Sequence, residues 1–307
     1  MDDQGLEYSS ASNNRDQRSA RDGKGKRIWR IVFVIALLVF VVSMAALGVI
    51  AYSYIQGQQK YGGVAETANV SDLDATLSGQ VVATEIDDVV KVDWDALLAA
   101  NPDTVGWVYI PGTAINYPIV KGEDNEHYLT YDFDGSAGWL ANYGAIFMDY
   151  KNNPDWSDQI YFIYGHHMND GSMFADIANL QDQARFDASR TVYILSPRGN
   201  FRLRTFALAH ISSDAEVVLA TFGDSDQMRE YIQDKIVHSL VSVQDIPDVS
   251  EMGKVFAFST CDNSSGGRYI LYASVEDASD ESLSGTIGIE MSDGNASGFV
   301  EELEVKE

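Results

Sequence analysis

The apolar positions along this chain fall into three regimes. The first is a run of 25 residues, "IVFVIALLVFVVSMAALGVIAYSYI" from Ile31 to Ile55, with no charged side chain. At about 1.5 Å of helical rise per residue such a run can cross a hydrocarbon layer of about 30 Å. Its length, and the lack of a short apolar core before a small-residue cleavage site, predict an uncleaved anchor over a signal peptide. The second regime, residues 56–88, is mixed and weakly periodic and reads as a stalk, with room for a short helix. The third, residues 89–278, alternates apolar and polar positions in short bursts.

Within that third regime the elements can be placed. Asp93 is positioned to cap a helix that carries Trp94, Leu97 and Leu98 on one face, and Asn101-Pro102 stops it. "GWVYI" and "INYPIV" read as strands around a Pro-Gly turn, "QIYFIYGHH" as a strand ended by glycine, and "TVYILSPRGNFRLRTFALAHI" as two strands around a turn. Met228, Tyr231, Ile232, Ile236 and Leu240 recur at helical spacing after a Ser225 cap. "KVFAFSTC" and "RYILYASV" close the series. Many short strands and few helices predict an α+β, mainly β domain of barrel type. Residues 279–307 form an acidic tail that either adds a strand, "GTIGIEM", or stays without one.

Charge sharpens the first regime. Residues 1–30 hold seven basic and five acidic groups, within a chain of net charge −25. Basic residues before the apolar run and acidic sequence after it predict the N-terminus inside the membrane and the remainder outside, with Tyr52 and Tyr54 at the outer interface. A net charge of −25 excludes a nucleic-acid backbone as the partner.

The chemistry rests on few residues. Cys261 is the one cysteine of the chain, so no internal disulfide is available. The plain reading of a lone cysteine is a small buried apolar residue. The alternative is a nucleophile, which needs an imidazole or a cation beside it to become a thiolate. Of five histidines, His127 lies in a charged loop, His210 in an apolar strand pattern and His238 near a helix end. His166 and His167 follow a strand and a glycine, where catalytic groups are often displayed. Arg268 stands seven residues after the thiol. Adjacent histidines do not have metal-ligand spacing, and no metal or cofactor is implied. Spacing alone does not choose among the histidines.

Four stretches together resemble the sortases, and class B among them: "GWVYIPGTAINYPIVKGEDNEHYL" (Gly106–Leu129), "GAIFMDYKN" (Gly144–Asn152), "YGHHMNDGSMF" (Tyr164–Phe174) and "FSTCDNSSGGRY" (Phe258–Tyr269). They span about Val92 to Val275 in the family's order, and the helix before the Cys strand is similar to the one that marks class B. The resemblance implies a closed sortase-type β-barrel with a few peripheral helices behind one N-terminal transmembrane helix. It implies Cys261 as nucleophile, His166 as the catalytic histidine and Arg268 as the essential arginine, with Ser259 and Thr260 lining the substrate pocket. Asp262 is a candidate to orient a histidine, or else a turn former.

The activity so implied is transpeptidation. A sorting signal of Asn-Pro-x-Thr-x form on a surface protein would be cleaved after Thr through a thioester, and passed to an amine of a cell-wall precursor or pilin at the cell membrane. Three departures accompany the resemblance. Phe258 stands where many members have Leu, the Cys-to-Arg loop is short with two glycines, and the acidic tail has no counterpart. "NPDTV" (Asn101–Val105) has the form of a sorting signal, but it sits mid-chain ahead of a strand and reads as a helix stop. Two rival readings remain: an envelope cysteine peptidase, which usually orders its histidine with a polar residue and needs no arginine at the thiol, and a sortase-like ectodomain that only binds peptides.

Overall fold

A computed structural model describes residues 8–77, 81–137, 142–212, 222, 224–261 and 266–280. The chain divides into two compact units, Met1–Ser53 and Tyr54–Glu307. Helix α1 (Tyr8–Thr67) carries the uncharged stretch, and its Arg27–Thr67 portion is long and apolar enough to cross a membrane by length and composition. Side chains from Ile28 to Phe40 are all exposed in the isolated chain.

The second unit is built on a closed barrel. After α2 (Leu73–Leu77), α3 (Ala83–Val89) and α4 (Trp94–Ala100) come β1 (Thr104–Tyr109), β2 (Asn116–Val120), α5 (His127–Thr130), β3 (Ile146–Met148), β4 (Ile160–Tyr164), α6 (Ala175–Asn179), α7 (Gln183–Ala188), β5 (Thr191–Leu195), β6 (Phe201–Ser212), α8 (Ser225–Val237), β7 (Val255–Cys261) and β8 (Gly267–Ala278). Around the barrel the strands run β1-β2-β3-β4-β7-β8-β6-β5. The β2–β3 and β4–β7 pairings are parallel and the others antiparallel. All five residues of β4 are buried, as expected of a strand covered on both faces. Trp156 anchors an aromatic cluster, with ring centroids 5.1 Å from Tyr161, 5.8 Å from Phe201 and 5.9 Å from Phe256. Each such ring removed from water contributes roughly 1.5–3 kcal/mol.

Local chemistry explains the boundaries. The Ala96 N–H donates to Asp93 Oδ1 at 2.9 Å, the expected cap of α4. At the other end of α4, Asn101 donates from Nδ2 to the Phe133 carbonyl at 2.8 Å, which fixes "NPDTV" as a structural stop. Two expectations need correction. Asp224, not Ser225, caps α8, accepting from the Gln227 N–H at 2.8 Å, because its carboxylate reaches the free amides of the first turn. The helix ends at Val237, and the Leu240 N–H donates instead to the Leu208 carbonyl at 2.7 Å.

The segment read as a stalk is more than a spacer. Tyr61, Ala65, Ala68, Val70, Leu73, Leu77, Ala83 and Ile86 are buried in the same hydrophobic core as the barrel. Tyr61, Ala65 and Ala68 recur at i, i+4 and i+7, one face of a helix, and the small alanines let the backbone approach closely. Side-chain amides complete the attachment. Asn116 Nδ2 donates to the Val70 carbonyl at 3.0 Å, and Asn200 Nδ2 to Asp87 Oδ1 at 3.0 Å. The strand considered for the acidic tail, 285–291, lies outside the described residues.

Candidate active site

Two strand pairings assemble the site. The parallel β4–β7 ladder sets Tyr164 beside Ser259, and the Gly165 N–H extends it by donating to the Ser259 carbonyl at 3.1 Å. His166 and His167 therefore leave the end of β4 next to the end of β7, where Cys261 sits. The antiparallel β7–β8 ladder makes Cys261 and Arg268 direct cross-strand partners. Side chains so paired share a face, with Cβ atoms about 4.5–5.5 Å apart. The intervening loop, including Asp262, lies outside the described residues.

Cys261 is a free, exposed thiol at the barrel's end, which removes the reading as a buried apolar residue. A cavity of about 310 Å³ opens beside it, lined by Asn125, Leu129, Phe147, Tyr164, His166, Ser259, Thr260, Cys261 and Arg268. Strand alternation divides the two expected pocket residues. Ser259 shares the face of Cys261, whereas Thr260 projects from the opposite face, its buried Oγ1 without a hydrogen-bond partner among the described residues. Both residues line the cavity.

The histidines have distinct settings. His166 Nε2 lies 2.7 Å from the Leu129 carbonyl. A carbonyl only accepts, so Nε2 is the donor of this bond, which leaves Nδ1 for proton transfer. His167 Nδ1 donates to the Cys261 carbonyl at 3.1 Å, tying the histidine pair to the thiol's own backbone. His127 opens α5, a short helix where a loop was expected, and stacks at 4.5 Å on Tyr131 just past its end. His210 is exposed on β6 with its ring 4.5 Å from that of Tyr269, and His238 pairs with Asp234 at 3.0 Å. None of these three lines the cavity.

Sequence reasoning missed the carboxylate that braces Asn125 and Tyr164 in the wall. Asp149 is buried and accepts from Tyr164 Oη at 2.9 Å and from Asn125 Nδ2 at 2.8 Å. The signal was an acidic residue directly after the apolar "AIFM", where a surface carboxylate has no reason to be buried. Gly165, which lines the cavity, leaves no room for a side chain. A Cβ on Gly165 would lie 2.4 Å from Ile146 Cδ1 and 2.8 Å from Phe174. A thiol, an imidazole and a guanidinium around one cleft are the components of covalent acyl transfer.

The sequence profile of the Sortase domain family matches residues 108–276, over half of the chain and all three of these side chains. The chain belongs to the sortase family. Among its relatives is Sortase B of Listeria monocytogenes, 29% identical over 221 residues that cover 72% of this sortase and 88% of that protein. Among solved structures, a Bacillus anthracis protein similar to sortase B is 28% identical, with a TM-score of 0.54, covering 59% of this chain and 81% of that one. The Staphylococcus aureus sortase B–substrate complex shares the fold at a TM-score of 0.61 and 20% identity, over 74% of this chain and 99% of that one. This sortase is a cysteine transpeptidase of class B, and its closed barrel is the sortase fold.

Proposed function

We propose that this sortase uses Cys261 as nucleophile, His166 as general acid and base, and Arg268 as oxyanion clamp to transfer a protein bearing a sorting signal of Asn-Pro-x-Thr-x type to an amine. The observation that carries the reading is the β7–β8 register, which makes the chain's one cysteine the cross-strand partner of Arg268 while the β4–β7 ladder delivers His166 to the same cleft. His166 takes the thiol proton of Cys261, and the resulting thiolate attacks the carbonyl carbon of the signal's Thr. The C–N bond breaks as the histidine gives its proton to the departing amine, leaving a thioester. The incoming amine loses a proton to the histidine as it attacks, and the thiolate leaves. The Arg268 guanidinium faces the oxygen that becomes negative in both tetrahedral states, a role worth roughly 3–4 kcal/mol in comparable sites.

Ser259 lies on the same face as the thiol and lines the substrate's path, and Thr260 borders it. The acceptor amine belongs to a cell-wall precursor or a pilin. Residues 31–55 anchor the enzyme in the cell membrane, with residues 1–30 cytoplasmic and the catalytic unit outside. That unit takes in the segment from residue 56 onward, since the segment contributes to the core. The test is a transfer assay with a set of Asn-Pro-x-Thr-x peptides and triglycine. A peptide–triglycine product that forms in preference to the hydrolysed acid supports transpeptidation. Hydrolysis unaffected by amine would point to a peptidase, and the absence of both turnover and selective thiol labelling to a binding module.

A further inference from the structure

The juxtamembrane end of α1 reaches the catalytic histidine's neighbourhood by three routes. The buried Tyr61 hydroxyl donates to the Gly144 carbonyl and accepts from the Phe133 N–H at 3.3 Å. Gly144 in turn abuts the histidine: a Cβ there would lie 3.0 Å from His166 Cδ2 and 3.2 Å from the Leu129 carbonyl that holds Nε2. Gln58 Nε2 donates to Asp170 Oδ2 at 3.1 Å, four residues beyond His166, and the same carboxylate oxygen receives the Tyr143 hydroxyl. The Tyr61 ring meets Tyr117 edge-on at 5.4 Å, and the Tyr117 hydroxyl accepts from the Met173 N–H at 3.0 Å, so the far end of the histidine loop is held too. Lys60 adds an outer clasp to Asp132 at 2.6 Å and Ser136 at 2.5 Å. The approach is close enough to require glycine: a Cβ on Gly57 would lie 2.2 Å from Tyr143 Cε2.

We propose that residues 57–61 of α1 are a positioning element for His166, with Tyr61 the positioning residue that acts through Gly144. The inference rests on the role given to His166 under the proposed function. Its physical basis is that the histidine is held by the Leu129 carbonyl and flanked by the Gly144 backbone, and the Tyr61 hydroxyl ties the Gly144 carbonyl from outside the barrel. Misplacing a catalytic group by about 1 Å costs about 100-fold in rate, so partial release of this loop should be felt at the chemical step more than in substrate binding. Transfer activity would then depend on the helix that also carries the apolar run.

The experiment uses the full-length enzyme in lipid nanodiscs and the fastest-turning member of the Asn-Pro-x-Thr-x peptide set. Tyr61→Phe removes one hydroxyl and keeps the ring in place. The expected result is a kcat lowered about tenfold or more with KM held within about threefold, and a displaced histidine limb in the pH profile of kcat. Gln58→Glu sets a second carboxylate against Asp170 at an exposed contact that folding tolerates, and should lower kcat in the same direction. In single-turnover acylation, Tyr61→Phe should add less than about twofold in a His166→Ala background, because residues that act as a unit are not additive. A kcat unchanged in both variants, even with a lowered melting temperature, would reduce Tyr61 to a packing residue, and full additivity would overturn the coupling alone. Wild-type acylation by His166→Ala would instead sink the role of the histidine, and this inference with it.

Discussion

Gly144→Ala is the sharpest single perturbation of the site. Gly144 adopts φ +57°, a conformation that costs an L-residue roughly 1–2 kcal/mol. The added methyl would lie 2.6 Å from the Tyr128 carbonyl oxygen, a backbone atom that accepts from the Ala145 N–H at 2.9 Å. Ordinary contact begins near 3.4 Å, so the backbone must shift by roughly 0.8 Å, and overpacking of this kind costs about 1–3 kcal/mol. The combined loss is about 2–5 kcal/mol, and at roughly 2–4 °C per kcal/mol for a unit of this size the melting temperature falls by several degrees or more. The same methyl presses on His166 and on the Leu129 carbonyl, so acylation should slow by about 100-fold. Gly135→Ala is the matched control: its φ is +75°, but a Cβ there meets nothing within 4 Å. It should lose about 1–2 kcal/mol and keep its rate. Stopped-flow acylation and thermal melts of both variants decide the matter. A Gly144→Ala enzyme that matches the Gly135→Ala control in both readouts would refute the reasoning.

Three further outcomes follow from the same geometry. His166→Ala should lose about 10²–10⁴-fold in kcat. His167→Asn, whose amide can still donate to the Cys261 carbonyl, should stay within about threefold of wild type, and a reversed ranking in steady-state transfer assays would shift the catalytic assignment by one residue. Arg268→Lys keeps the charge and loses the planar fork, so its acylation rate should fall by about 100-fold or more; full retention would leave the oxyanion to backbone amides. Asp245 accepts from Arg204 at 2.6 Å and Arg190 at 2.9 Å, and these bonds, Arg204's first, hold its carboxyl down to about 2. The folded value lies below the unfolded one near 3.9, so the pair's stabilisation is present above about pH 4 and lost as pH falls through about 2. Because the carboxylate is half exposed, Asp245→Asn should cost about 1 kcal/mol or less at pH 7 in urea titrations and progressively less as pH falls toward 2.

Much of the barrel was legible because its strands follow simple rules. "IYFIY" is an unbroken apolar run and buries every residue, and "VFAFSTC" ends where its last side chain becomes exposed. The three-residue β3 was too short to carry a period of its own, although "GAIFMDYKN" stood out as a resemblance. The stalk misled because half of its core-facing positions are alanine or valine (Ala65, Ala68, Val70 and Ala83) among glycines and acids, a weak apolar signal; the i, i+4, i+7 recurrence of Tyr61, Ala65 and Ala68 was the cue. In the site, the three side chains stood in recognisable words, yet their meeting depends on a parallel pairing between residues 95 positions apart, which spacing does not encode. The partners of both histidines are backbone carbonyls, of Leu129 and Cys261, and no residue identity announces a carbonyl.

The central claim is that acyl transfer passes through a thioester on Cys261. Its most direct test is intact-protein and peptide-level mass spectrometry of the enzyme quenched with acid during turnover of an Asn-Pro-x-Thr-x peptide. The account predicts one adduct, on Cys261, with the mass of the fragment ending in Thr less one water, which disappears when triglycine is added and never forms on Cys261→Ala. Cleavage that proceeds in Cys261→Ala, or an adduct mapped to any other residue, would contradict it.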